Sequence, residues 1–394
     1  MRRTEVLQGV RMMKFRDVFG RCEEGGLSQL EAAELLGIDE RTFRRWCRRY
    51  EDEGETGLRD RRLGKPSAKR VPAAAAEEVE RLYRERYAGF TAKHFHEHLV
   101  KSHDFRWGYT WTKTYLQQRD YLKKAPRRGA HRRKRVRKPL PGMMLHQDGS
   151  PHRWIAALER SFDLIVTLDD ATGTIYSGFL MEQEGTLSSF RGLAEVFDAH
   201  GLPLSLYTDR GSHYFVTPKA GEKVDKRATT QVGRALAQLG IEHIPAYSPQ
   251  ARGRSERVFR TLQDRLPKEL ALAGIADPDA ANRFIAERFL PDYNRRFAVA
   301  AAEPGSAFIA VARAQWQDVL CVQEERIVGN DNTVAYQGLR LQIPPSRVRA
   351  HFVKAKVRVH HYSDGTHAVF HGPACLARYQ ANGRLIEETI KWAA

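Results

Sequence analysis

Over 28–50 and again over 72–122, apolar side chains recur every three to four positions, the spacing of helices with one buried face. The Gly-, Pro- and charge-rich stretch GETGLRDRRLGKPSAKRVP between them reads as a linker. Within 28–50, SQLEAAELLGIDERTFRRWCRRY, two short helical patterns meet at Gly37. Ser28 and Glu31 have the spacing of a capping box, and Ala32, Ala33, Leu35 and Leu36 supply an apolar face. Asp39 can cap the second helix, in which Phe43 and Trp46 share a buried side while Arg41, Arg44, Arg45, Arg48 and Arg49 crowd the remainder. This predicts a helix-turn-helix with a basic second helix. A second helical block is expected over 72–122, where AAAAEEVERLYRERYAGF and YTWTKTYLQQRDYL keep the same spacing. In it Thr110, Thr112 and Lys113 stand either at the start of a recognition helix or in a plain packing element.

Beyond Pro139 the pattern shortens to strand-like runs, beginning with MMLHQDGS, at whose end Asp148 sits, and PHRWIAAL. FDLIVTLDD and TIYSGFLME flank an Asp-Ala-Thr-Gly turn and read as a hairpin. A helix, LSSFRGLAEVFDAHG, comes next. LPLSLYTDRGSHY is then a strand ending at Asp209, with Gly211 permitting a sharp turn. Residues 229–239 read as a helix, IEHIPAY as a strand, and SPQARGRSERVFRTLQDRLPKEL as a loop feeding a helix with Glu256 near its start. On that helix Glu256, Arg260 and Gln263 form one polar stripe, and Val258, Phe259, Leu262 and Leu266 line the buried side. The order describes a mixed sheet with helices on its faces. From Gln323 onward the apolar positions alternate, with Asp-Asn and Asp-Gly at the turns, which predicts short antiparallel strands in a small β-barrel of SH3 type. Lys354, Lys356, Arg358 and His360 recur at every second position and would make one strand face basic.

Charge narrows the function classes. Over 394 residues Lys and Arg outnumber Asp and Glu by 65 to 48, a surplus of +17 that attracts polyanions. No apolar run long enough to span a bilayer occurs, and the first residues, MRRTEVLQGVRMMKF, lack a secretory signal, so a cytoplasmic, nucleoid-associated prokaryotic protein without membrane contact is expected. The basic run KKAPRRGAHRRKRVRK, which contains Arg132, Arg133, Lys134 and Arg135, reads as a linker that tracks DNA. If it neutralises about six phosphates, affinity falls roughly a thousandfold between about 50 and 200 mM salt. The four cysteines, Cys22, Cys47, Cys321 and Cys375, are scattered and read as reduced and structural. His94, His96, His98 and His103 invite a zinc reading, but no cysteine pair completes it and they are expected to be solvent-exposed helix residues.

Acids at the ends of elements carry the candidate chemistry. Attack on a phosphodiester needs charge neutralised on the attacking and leaving oxygens together, which two divalent ions about 3.5–4 Å apart accomplish, and hard ions want carboxylate oxygens. Asp148, Asp209 and Glu256 are the candidates. Asp169 and Asp170 precede a hairpin turn, a common structural use of Asp, and stay out of the site, as do Asp163, Asp264, His146 and His213. Arg252, Arg254 and Arg260 would contact phosphate near Glu256, as Arg41, Thr42, Arg44, Arg45 and Arg48 would on the helix-turn-helix. Gly253 would keep the preceding loop free to close over DNA.

Asp148 in LHQDGS, Asp209 in YTDRGSHY and Glu256 in SPQARGRSERVFRTLQDRL resemble the D, D and E of integrase-core transposases and retroviral integrases. The separation of 47 positions between Asp209 and Glu256 is longer than in many relatives and fits VTPKAGEKVDKRATT as an inserted loop, which resembles the ISNCY group of insertion-sequence transposases. The resemblance implies a ribonuclease-H-like core and Mg²⁺ or Mn²⁺, two ions per site, with Asp148 bridging both and Asp209 and Glu256 each holding one. It also implies a protein that binds terminal repeats in double-stranded DNA as a homo-oligomer and transfers strands to target DNA without a covalent enzyme intermediate. The expected organisation is multidomain α+β: a helix-turn-helix domain over 1–65, a second helical DNA-binding domain with basic linker over 66–138, the integrase-type core over 139–300, and the β-barrel over 315–394. The competing classes are a catalytically silent DNA-binding regulator and a metal-dependent nuclease that never joins strands.

Overall fold

Capping chemistry sets the boundaries of the first helices. The computed structural model describes residues 3–60, 70–124, 136–216, 229–246, 253–345 and 349–386. The chain forms two compact units, 1–80 and 81–394. In the first, α1 (Arg3–Glu23), α2 (Gln29–Leu36), α3 (Glu40–Glu53) and α4 (Glu55–Leu58) follow one another. The Glu31 amide donates to Ser28 Oγ at 3.3 Å while the Ser28 amide donates to Glu31 Oε2 at 2.8 Å, a complete capping box opening α2. Gly37 ends α2 at φ +64°, a left-handed conformation natural to glycine. Asp39 Oδ1 then accepts the Thr42 amide at 2.8 Å and opens α3.

Phe15, Val18, Ala32, Ala33 and Phe43 form the core of this unit. Phe15 comes from α1, a helix the patterning left unassigned, and its ring centroid lies 5.8 Å from those of Phe43, Trp46 and Tyr50. Leu35 departs from expectation: it is 58% exposed, because it falls outside the stripe that Ala32, Ala33 and Leu36 define.

The second unit takes in α6 (Ala92–Ser102) and α7 (Tyr109–Gln118), reached from α5 (Ala73–Glu85). Tyr83, Phe95, Leu99 and Leu116 are buried there. A five-stranded sheet follows, from β1 (Leu145–His152), β2 (Phe162–Asp169), β3 (Ile175–Met181), β4 (Ser205–Thr208) and β5 (Glu242–Pro245), in the order β3-β2-β1-β4-β5. The first three strands pair antiparallel, whereas β4 and β5 run parallel to β1. On one face α8 (Thr186–His200) and α9 (Gln231–Gln238) bury Phe190, Leu193, Val232 and Leu236 with Leu145 and Leu206. On the other, α10 (Gly253–Leu272), α11 (Pro278–Phe284), a π turn (Ile285–Phe289) and α12 (Leu290–Phe297) cover Leu164, Val166 and Leu168. This is the mixed sheet with helical layers that the order of elements predicted.

Two asparagines finish the exposed edge of that sheet. Asn294 accepts the Ile175 amide at 2.9 Å and donates to its carbonyl at 2.8 Å, and Asn282 does the same for Leu180 at 2.6 and 3.1 Å. Each mimics a missing strand, which satisfies the edge backbone of β3. PHRWIAAL is not a separate strand: β1 runs on to His152, and Trp154 and Ile155 drop into the core.

After the short α13 (Arg313–Trp316), the last segment also differs from expectation. Its strands are β6 (Val322–Ile327), β7 (Thr333–Tyr336), β8 (Leu339–Gln342), β9 (Lys356–His361), β10 (His367–His371) and β11 (Ala374–Tyr379). They form a four-stranded sheet, β11-β10-β9-β6, and a separate β7-β8 ribbon, so no closed barrel exists among the described residues. Val334, Leu341, Val357 and Val369 give the two one core. The basic face expected on β9 is interrupted, since Lys354 precedes the strand and His360 is buried against Phe370.

The fully buried Phe43 sets a stability test. Phe43→Ala should cost about 3–5 kcal/mol through lost burial and the cavity left behind. Urea unfolding followed on the first unit's signal measures it, and a loss below about 1 kcal/mol would place the core of that unit elsewhere.

Candidate active site

Two of the three candidate acids stand on neighbouring parallel strands. Leu145 pairs with Leu206 and His146 with Tyr207, an offset of 61 positions that also separates Asp148 from Asp209. Continued by two residues, the register sets the two carboxylates level. Asp148 is central in β1 rather than at its end and is 6% exposed, whereas Asp209 directly follows β4. Glu256 lies in the first turn of α10 with its side chain exposed.

The contacts of α10 bring Glu256 alongside. Arg254 pairs with Asp170, which His146 of β1 also bonds at 2.7 Å, and Gln263 Nε2 donates to Ser150 Oγ of β1 at 3.0 Å. Nine helical residues rise about 13.5 Å and four strand residues about 13 Å, so helix and strand advance in step. Glu256, which lies between Arg254 and Gln263, is therefore placed along the stretch of β1 that contains Asp148. Arg260 is exposed on the same helix, and Arg252 lies outside the described residues.

A neutral polar network ties the loop after Asp209 to β1. Tyr214 OH donates to Gln147 Oε1 at 3.0 Å and accepts from Ser189 Oγ at 3.1 Å. Gln147 Nε2 donates to Thr167 Oγ1 at 3.0 Å and to the Ser189 carbonyl at 3.1 Å. Gly192 on α8 makes room, since a Cβ there would sit 2.7 Å from Gln147 Nε2. Burial pushes the Tyr214 phenol well above its ordinary pKa, and the charges of Glu184, Asp148 and Asp209 add to this. That hydroxyl consequently stays a neutral hydrogen-bonding group. The Asp209 carboxylate also accepts the Gly211 amide at 2.8 Å, which shapes the turn.

Sequence reasoning missed Glu184, Gln147 and Tyr214. Glu184 reaches β1 at Gly149, where any Cβ would overlap its carboxylate, and lies 3.6 Å from His213 Nε2. A glycine directly after Asp148 was the available signal, though nothing local named its partner.

Asp170 has a larger part than a turn residue. It is fully buried and receives His146 Nε2, the Lys138 amide at 2.8 Å and Arg254. Burial alone would raise its pKa, but these hydrogen bonds and the Arg254 charge outweigh it and hold the carboxyl well below the usual range. Arg254, expected at a phosphate, instead donates to the carboxylate and the carbonyl of Asp170. Asp169 does act as a turn acid, accepting the Thr172 amide at 2.8 Å and the Gly142 amide at 3.0 Å.

The side chains expected on DNA divide between the two units. On α3, Arg41, Arg44, Arg45 and Arg48 are exposed, Arg44 pairs with Glu40, and Thr42 donates to the Asp39 cap at 2.8 Å. In α7, Thr112 is fully buried and bonds His96 Nδ1 at 3.0 Å, so it packs the helical block and reads no base. Arg132, Arg133, Lys134 and Arg135 lie outside the described residues, as does most of the expected insertion after Val216. The histidines of α6 differ from the expected exposed residues: His94 is fully buried where α6 packs against α10, and His96, 9% exposed, is covered by α7.

The chain thus combines a helix-turn-helix whose second helix is basic with a mixed α/β core. Residues 17–67 match the model of a helix-turn-helix domain. A Sinorhizobium fredii protein, y4bF, described as a transposase, is 33% identical over 356 residues, 89% of this chain and 76% of that one. The transposase for insertion sequence IS1202 of Streptococcus pneumoniae is 33% identical over 163 residues, 41% of this chain and 34% of that one. This chain belongs to the transposase family that y4bF represents. Among solved structures, the HTLV-2 integrase catalytic core domain in complex with magnesium matches 38% of this chain and 88% of its own at 17% identity and a TM-score of 0.28. The simian T-cell lymphotropic virus intasome in complex with a PP2A regulatory subunit matches 76% and 95% at 15% identity and a TM-score of 0.34.

The Asp170 network predicts a pH signature. Its folded pKa lies below the unfolded value of about 3.9, so its stabilisation is complete above that pH and is lost as the pH falls toward the folded value. Asp170→Asn should cost about 3–5 kcal/mol at neutral pH, since it leaves Arg254 poorly compensated. Denaturant melts from pH 7 down to 2 should show the difference from the unaltered protein narrowing below about pH 4, and a constant gap would remove the carboxylate's charge from the explanation.

Proposed function

We propose that the protein binds the terminal repeats of an insertion sequence and cuts and joins DNA strands with Asp148, Asp209 and Glu256 as its catalytic acids. The observation that carries this is the parallel register of β1 and β4, which, continued by two residues, would set Asp148 opposite Asp209, with α10 bonded to β1 beside them. An all-oxygen set of carboxylates suits Mg²⁺ or Mn²⁺ better than a softer ion, and the buried Asp148 would gain from a nearby cation. When bound, two such ions neutralise charge on the attacking and leaving oxygens of a phosphodiester.

The chain's own groups supply positioning. β1 and β4 present two acids to one place, and the Arg254–Asp170 pair anchors the first turn of α10 so that Glu256 approaches them. Arg260, exposed one turn beyond Glu256, is available to a phosphate, and Arg252 and the basic run of 123–138 extend that path in sequence. Arg41, Thr42, Arg44, Arg45 and Arg48 on α3 are assigned to the terminal repeat. The working division is repeat recognition in 1–65 and 66–138, chemistry in 139–300 and support in 315–394. Two element ends cut in one event call for at least a dimer on DNA. The site of action on this reading is the bacterial nucleoid.

The deciding assay is Mg²⁺-dependent cleavage and joining of labelled DNA from the borders of the gene. Asp209→Asn should lower joined product by about a hundredfold or more, since loss of even an indirect metal contact costs about 10–100-fold. Nicks without joining would identify a nuclease, and tight binding without cleavage a DNA-binding regulator. Binding gives an independent measure. Arg48→Ala should weaken repeat binding and reduce the slope of log affinity against log salt by about one, and an unchanged slope would take Arg48 off the phosphates.

A further inference from the structure

Far from the acidic cluster, α6 and α10 meet over three potential metal ligands. His94 and His98 stand one turn apart on α6, and Glu269 faces them from α10. Nε2 of His94 lies 2.6 Å from Glu269 Oε1, and Nε2 of His98 lies 2.8 Å from the same oxygen. One ligand atom from each of the three residues lies within 4.8 Å of the others. The rings are held for this: Phe90 stacks on His94 at 4.4 Å, and Tyr87 flanks His98 at 5.1 Å.

The other nitrogen of His94, Nδ1, is buried without a hydrogen-bond partner among the described residues. Beside the cluster opens a cavity of about 340 Å³, also lined by Arg86, Lys101, Arg265 and Arg296, with room for a water or small anion as fourth ligand.

We propose that His94, His98 and Glu269 form a binding site for a zinc-like divalent transition metal that clips α6 to α10. Two imidazole nitrogens and one carboxylate oxygen are a borderline donor set, unlike the all-oxygen set of Asp148, Asp209 and Glu256. For neutral rings that donate from Nε2, binding would move each ring proton to Nδ1 and exchange two hydrogen bonds to Glu269 for three bonds to the ion, which at His94 puts the proton on a buried nitrogen without a partner among the described residues. Glu269 lies 13 residues beyond Glu256 on α10, about 20 Å along the axis, so the site acts on the far end of the helix that carries Glu256.

Co²⁺ is the probe, titrated into the full chain and followed by visible absorption, because a four-coordinate nitrogen–oxygen site absorbs far more strongly than an octahedral carboxylate site. The intact protein and Asp209→Asn should both show an intense band saturating at one equivalent and displaced by Zn²⁺. In His98→Ala and Glu269→Gln the band should be lost, with affinity lower by about tenfold or more. Zn²⁺ should also raise the melting midpoint of the intact protein and Asp209→Asn but not of the two ligand variants. Glu269→Gln keeps the side chain's shape, so the comparison survives if His98→Ala folds poorly. Absence of the band from the intact protein, its persistence in both ligand variants, or its disappearance in Asp209→Asn would each overturn the assignment.

Discussion

Carboxylates placed together repel one another, and a protein that gathers them must fix their supports before any cation arrives. Here the support is a neutral polar network behind β1. Gln147, Thr167, Ser189 and Tyr214 bond one another, which joins β1, β2, α8 and the turn after Asp209. Such a network is costly if half-made and rigid if complete. Alternation along β1 divides the work: Gln147 points toward α8, while His146 and Ser150 engage groups on the α10 side, the side that Asp148 shares. The strand therefore offers an acid to one face and locks itself in place from the other.

The same logic explains why so much charge is buried close by. Asp170 links Arg254 of α10, His146 of β1 and the backbone entering the core at Lys138. A nonpolar replacement would pack as well, but buried pairs fix register where hydrophobic contact tolerates sliding. Sliding by one turn would carry Glu256 about 5.4 Å from its level beside β1. At the far end of the same helix, Glu97 takes Arg265 at 2.6 Å and Arg296 at 2.7 Å, and Lys101 takes Asp292 at 3.0 Å. The helical block of α6 and α7 thus shares a charged seam with α10 and α12. His94 and His98 are part of that seam, and His96 is buried against α7.

Elements with strong local signals could be read from the chain. The capping box at Ser28, the Asp39 cap, the hairpin of β2 and β3 and the apolar stripe of α10 each depend on residues within a few positions of one another. The three acids stood out because two follow apolar runs and one opens a helix. What escaped depends on distant partners. His94 and Glu269 are 175 positions apart, and nothing near either one announces the other. Glu184 meets Gly149 only after the sheet has formed. In the last segment alternation revealed the strands, but β6 pairs with β9 across an intervening ribbon, and local patterning does not specify whether such pairings close a barrel.

On the proposed reading, the chain's field and its site pull in opposite directions. A surplus of +17 draws DNA in, yet the place where strands react is lined by acids that repel phosphate. Cations held by those acids reverse the local sign, so metal and DNA assist one another's binding and by linkage the assistance is mutual. Arg254 does not relieve the conflict, because Asp170 already occupies it. Arg257 and Arg260, near Glu256 on α10, are exposed. On this reading the arginines would hold DNA beside the acidic centre, and the reacting phosphate would enter once metal has neutralised the acids.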